Sequence, residues 1–106
     1  MNRLVYNYSF SKHIPVDDIE DSLMIAALAA EALHGRAAMK LDAYFCLDKK
    51  ARTCIVDAET QIGCDIARIL STFVTKGYGE SSFKVERAEE HPGNRKLLCA
   101  IGAMIL

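Results

Sequence analysis

Residues 39–58, Met-Lys-Leu-Asp-Ala-Tyr-Phe-Cys-Leu-Asp-Lys-Lys-Ala-Arg-Thr-Cys-Ile-Val-Asp-Ala, decide the fold. Met39, Leu41, Ala43, Phe45 and Leu47 alternate with Lys40, Asp42, Tyr44, Cys46 and Asp48, the period of a half-buried strand. In a second strand over residues 52–58, Cys54, Val56 and Ala58 alternate with Thr53, Ile55 and Asp57, and Asp48-Lys49-Lys50-Ala51 supplies the turn. The pair predicts a β-hairpin. Its register follows from the pattern, because a slip of one residue sends every apolar side chain to the other face. A two- or four-residue loop sets Phe45 against Cys54, Ala43 against Val56 and Leu41 against Ala58. A three-residue loop sets Ala43 against Asp57 and Leu41 against Glu59, and is rejected. The favoured register also sends Cys46 and Cys54 to opposite faces, so no disulfide is expected between them.

Upstream, residues 3–10 alternate as a strand, with Leu4, Tyr6, Tyr8 and Phe10 on one face. Ser11 to Pro15 breaks the pattern, and a helix is predicted over residues 16–33. Asp17 and Glu20 have capping-box spacing, and the acids at its start favour the positive end of the helix dipole. Ile19, Leu23, Ala26, Ala30 and Leu33 form one stripe that Met24, Ile25 and Leu28 widen. No polar residue falls between Leu23 and Ala30, so most of this helix must be covered. His34-Gly35 is a C-terminal stop.

Downstream, Thr60 is the expected N-cap of a further helix. Ile62, Ile66, Ile69, Leu70, Phe73 and Val74 then repeat at helical spacing until Gly77-Tyr78-Gly79. Residues 83–87 form a short strand, and a polar loop over 89–96 leads to an apolar tail, 97–106. The order β-α-β-β-α-β closes most naturally into a four-stranded antiparallel sheet with two helices on one face. By order of elements alone this resembles the ferredoxin-like fold, which hosts many unrelated functions. A single α+β domain over 1–106 is expected, with a core at 1–88 and the tail adding a strand or a helix.

With 106 residues, 51% hydrophobic, 13 basic against 14 acidic side chains, the composition is that of a near-neutral globular domain. Disorder and a dedicated nucleic-acid binder both fit it poorly. The N-terminus has no signal-peptide pattern and no apolar run is long enough to span a bilayer, so a cytoplasmic protein with no membrane partner is expected. Cys46, Cys54, Cys64 and Cys99 do not pair at zinc-ligand spacing and read as reduced thiols.

If helices cover one sheet face, the other carries Asp42, Tyr44, Ile55 and Asp57, the candidate binding residues. The expected register opposes Asp42 to Asp57, and two facing carboxylates call for a cation or a shared proton, or else simple solvation. Tyr44 and Ile55 beside them make a small apolar patch. An aromatic sheet face binds RNA in other domains of this fold, but the basic, glycine and aromatic pattern is missing here. Ser11-Lys12-His13-Ile14-Pro15 likewise does not resemble an acylphosphatase anion loop. No catalytic motif, cofactor site or metal-ligand cluster is evident, and His13, His34 and His91 sit at element boundaries or in a loop. Leu97, Ile101, Met104 and Ile105 share one helical face of the tail, a surface for a second copy or for another protein. The expectation is a small interaction domain without enzyme activity that self-associates, as a homodimer, through the open sheet face and the apolar tail. A small-molecule or metal-binding protein built on Asp42 and Asp57 is the alternative, and an RNA-binding module comes after it.

Overall fold

The computed structural model describes residues 3–90. The tail with Leu97, Ile101, Met104 and Ile105, together with His91 and Cys99, lies outside the described residues. The elements run β1 (Arg3–Phe10), α1 (Val16–His34), α2 (Arg36–Asp42), β2 (Phe45–Asp48), β3 (Thr53–Asp57), α3 (Gln61–Tyr78), a 3-10 turn (Glu80–Ser82) and β4 (Phe83–Glu90). The strands form one antiparallel sheet in the order β2-β3-β1-β4. The chain is therefore α+β, as expected, with one helix more than the sequence reading provides.

That additional helix, α2, replaces the first half of the predicted hairpin strand. Met39 and Ala43 are buried, whereas Leu41, which a strand would place on their face, is 80% exposed. The buried spacing here is four residues, not two. Arg36-Ala37-Ala38-Met39-Lys40-Leu41 is built from strong helix formers without a β-branched residue, and that propensity outweighs a short alternation. Gly35, at φ +92, lets the chain turn between the two helices, its N–H donating to the Glu31 carbonyl.

The hairpin survives as β2 and β3, in a register two residues from the expected one: Phe45 pairs with Val56, Cys46 with Ile55 and Leu47 with Cys54. A shift of two preserves the faces, so the apolar set stays together. The turn starts one residue later than predicted. The Asp48 carboxylate accepts from the Lys50 and Ala51 N–H groups, and Arg52 takes a left-handed conformation (φ +59). The Arg52 guanidinium compensates by donating to the Ser11 and Ile14 carbonyls. Cys46 and Cys54 lie on opposite faces, as expected.

The core lies between one sheet face and the helices. Tyr8, Phe10, Phe45, Cys54 and Val56 from the sheet join Ile19, Leu23, Ala26, Ala27 and Ala30 of α1, Met39 of α2, and Ile62, Ile66, Leu70 and Val74 of α3. Each fully buried aliphatic side chain contributes about 1.5–3 kcal/mol. The Tyr8 hydroxyl donates to the Ala67 carbonyl (2.9 Å) and bonds the Ser71 hydroxyl (2.7 Å), so this phenol is buried without an unmet polar group. Burial pushes its pKa up to about 12.

α1 and α3 run antiparallel. His34 at the end of α1 bonds Asp65 at the start of α3 (2.6 Å), and Tyr78 at the end of α3 donates to Asp18 at the start of α1. The predicted cap at Asp17 is not used, since Pro15 opens α1 without a side-chain cap. Thr60 does cap α3, accepting from the Gly63 N–H at 3.1 Å. Helix α3 also starts in close contact with β3: a Cβ on Gly63 would stand 2.2 Å from the Asp57 carbonyl oxygen. Only glycine fits there. β4 continues to Glu90, further than the strand predicted over 83–87, because it pairs along the whole of β1.

Candidate functional site

The second sheet face carries Arg3, Val5, Asn7 and Ser9 of β1, Thr53, Ile55 and Asp57 of β3, Cys46 of β2, and Lys84, Glu86 and Ala88 of β4. The expected Asp42–Asp57 pair does not form across strands. Asp42 ends α2 with an exposed side chain, while Asp57 is fully buried. Both approach Thr60, but Asp42 does so only through its backbone carbonyl, at 3.4 Å.

The Asp57 carboxylate is committed to holding structure. One oxygen accepts from the Arg3 guanidinium at 3.1 Å; the other accepts from the Thr60 N–H at 3.0 Å and its hydroxyl at 2.7 Å. These bonds tie the end of β3 to the start of both β1 and α3. Tyr44, expected as part of an exposed patch with Ile55, is buried, with the Arg3 guanidinium 4.7 Å from its ring centre. Cys46, not Tyr44, opposes Ile55. Tyr6, Tyr8 and Phe10 face the helices, so they do not extend an aromatic surface on the second face. Among the described residues, no group of three or more His, Cys, Asp or Glu side chains could hold a metal ion.

Two other surfaces stand out. The first is the outer side of the helix layer. Met24, Ile25 and Leu28 of α1 are 38%, 45% and 48% exposed, and Phe73 of α3 is 44% exposed. The His34–Asp65 and Asp18–Tyr78 bonds set the level of the two helices, which places Ile25 level with Phe73 and Asp21 level with Lys76. The exposed charges differ by helix: Asp17 and Asp21 on α1, Arg68 and Lys76 on α3. Beside them, the hydrogen bond from His34 holds the Asp65 carboxyl below its ordinary range.

The second is a groove of about 460 Å³ between α3 and the β1–β4 edge, lined by Tyr6, Tyr8, Cys64, Arg68, Ser71 and Val85 among others. The Cys64 thiol lies 3.8 Å from the Ala58 carbonyl and donates to it, which leaves its sulfur to accept from the Tyr6 hydroxyl at 3.9 Å. That bond, with burial, raises the Tyr6 pKa, while Arg87 and Arg68 oppose the rise through their charge. The Arg87 guanidinium sits 6.0 Å from the Tyr6 ring centre. The sequence shows that Met24, Ile25 and Leu28 need cover but not which side of α1 lacks it, and it does not single out the groove. The signal for the groove was present in α3, where Cys64, Arg68, Ser71 and Thr72 share the flank beside its apolar stripe. The strand partner Tyr6 lies 58 residues away, and only the fold brings it there.

Among the described residues, no helix is long and apolar enough to cross a membrane. No protein-family model matches the chain, and neither a curated protein nor a solved structure matches it.

Proposed function

We propose that this chain is a small cytoplasmic interaction domain that pairs with a second copy of itself through the outer surface of α1 and α3. The carrying observation is the row Met24, Ile25 and Leu28 beside Phe73, apolar side chains left exposed on neighbouring helices. The sequence between Leu23 and Ala30 demands cover on more sides than the chain's own core provides. Burial of such a patch against a like patch removes it from water, and contiguous apolar surface of this kind more often marks a contact than a bare face.

Charge selects the partner and its orientation. A two-fold axis running along the helices lays α1 of one copy over α3 of the other at the same level. Asp21 then meets Lys76 of the other copy, and Ile25 meets Phe73. An axis across the helices would instead set acidic α1 on acidic α1. The first arrangement is self-complementary in both charge and apolarity, as an isologous interface must be. The outer surface of a helix pair about 28 Å long and about 20 Å wide covers roughly 560 Å² per copy. That is at the low end for specific interfaces, so a dimer with a micromolar dissociation constant is expected.

The strand order β2-β3-β1-β4, with α1 and α3 as the crossovers, supports a ferredoxin-like reading with α2 as an added helix. In that reading the apolar tail, with Leu97, Ile101, Met104 and Ile105, is a further contact surface. Sedimentation velocity across a micromolar range tests the pairing. The wild-type chain should associate with increasing concentration, and Leu28→Glu should remain monomeric with its fold intact by circular dichroism. A Leu28→Glu chain that associates like the wild type would overturn the proposal.

A further inference from the structure

We infer that the groove between α3 and the β1–β4 edge is a binding site for a small planar organic monoanion, such as an aromatic carboxylate, held by Arg68 in the groove wall with its ring against Tyr6 and Val85, while Arg87, beside the Tyr6 ring, adds positive charge next to it. A volume of about 460 Å³ is within the usual range of small-molecule sites, which are mostly apolar with a few placed polar groups. The walls fit that description: Tyr6, Tyr8, Ala67 and Val85 supply aromatic and aliphatic surface.

The polar groups fix the charge of the ligand. The Tyr8 hydroxyl is spent on Ala67 and Ser71, and the Thr72 hydroxyl donates to the Arg68 carbonyl at 2.8 Å. The Tyr6 hydroxyl donates to the Cys64 sulfur, and the thiol proton goes to Ala58. None of these retains a donor for a ligand. What remains is the Arg68 guanidinium in the wall, with that of Arg87 beside the Tyr6 ring, each charged throughout the physiological range. Among the described residues Arg68 forms no ion pair, and Arg87 lies over the Tyr6 ring. No acid lines the groove; Asp65 precedes Arg68 by three residues on α3, Glu86 adjoins Arg87 but belongs to the other face of β4, and Glu89 is the next acid on the groove's face of that strand, beyond Arg87 from Val85. A carboxylate can take the Arg68 fork as a bidentate pair, and a flat ring fits between an aromatic face and a valine.

Cys64 provides the readout, because it lines the groove and is partly exposed whereas Cys46 and Cys54 are buried. The probes are 1-naphthoate and its neutral counterpart 1-naphthalenemethanol. Alkylation by iodoacetamide is followed by peptide mass mapping, so that each cysteine is read separately. Naphthoate should slow Cys64 alkylation severalfold and saturably, the alcohol should protect far less, and Arg68→Gln should weaken protection by about tenfold, the loss of one charged hydrogen bond. An unchanged unfolding transition in Arg68→Gln establishes that the fold is retained. No protection by naphthoate, equal protection by the alcohol, or full protection in Arg68→Gln would each overturn the assignment.

Discussion

Replacing Asp57 separates a structural anchor from a ligand site. The carboxylate is fully buried and receives three hydrogen bonds, two from Thr60 and one from Arg3. Hydrogen bonds to an ionised group contribute about 1.5–3 kcal/mol each. Removing the acceptor does not forfeit the sum, because Arg3 is 41% exposed and rehydrates once released. The Thr60 N–H and hydroxyl are less accessible and lose their acceptor at the mouth of α3. Asp57→Ala should therefore cost about 3 kcal/mol. Asp57→Asn should cost about 1–2 kcal/mol, since the amide oxygen still accepts from Thr60 while its NH₂ faces the Arg3 donors. Arg3→Ala should cost about 1–2 kcal/mol, less than Asp57→Ala because the two Thr60 bonds still hold the buried carboxylate. Urea unfolding followed by circular dichroism measures all three. The ranking is the test: Arg3→Ala as costly as Asp57→Ala would make the ion pair the anchor, and an Asp57→Ala cost near zero would refute the structural role altogether.

Two glycines in α3 should respond in opposite directions. Gly63→Ala forces a Cβ against the Asp57 carbonyl and should destabilise by about 1–3 kcal/mol, whereas Gly77, with nothing within 4 Å, should gain about 0.5–1 kcal/mol as alanine. Thermal unfolding of the two variants checks both signs. The lowered Asp65 pKa gives a pH signature. A carboxyl whose folded value is depressed stabilises fully above its unfolded value of 3.8 and loses that contribution as pH falls through the folded value. Stability below about pH 4 should therefore fall less steeply in Asp65→Asn than in the wild type, as acid-unfolding curves at fixed urea would show.

The long elements were legible because their periods are unambiguous. The 3.6-residue stripe of α3, the Thr60 cap and the His34-Gly35 stop each had a physical meaning that the fold uses. The hairpin was legible in its faces but not in its register, because the left-handed Arg52 and its bonds to Ser11 and Ile14 depend on a segment far away in the chain. Residues 36–42 were misread because Met39 and Ala43 satisfy both a strand alternation and a helical i, i+4 spacing. The candidate residues suffered most from this. Once Asp42 belongs to a helix, it has no place opposite Asp57, and the carboxylate pair disappears with it. The demand for cover along Met24 to Leu28 was visible in the sequence, but which side lacked it depends on how α1 seats against the sheet.

The proposed pairing of α1 with α3 of a second copy is tested most directly by a charge exchange. Asp21→Lys and Lys76→Glu each place like charges together twice in a homodimer, so each variant alone should associate more weakly than the wild type. In an equimolar mixture, one protomer of each kind restores both contacts to opposite charge. Sedimentation velocity at equal total concentration should find the mixture associating like the wild type while the separate variants do not. A mixture no more associated than its components would contradict the account.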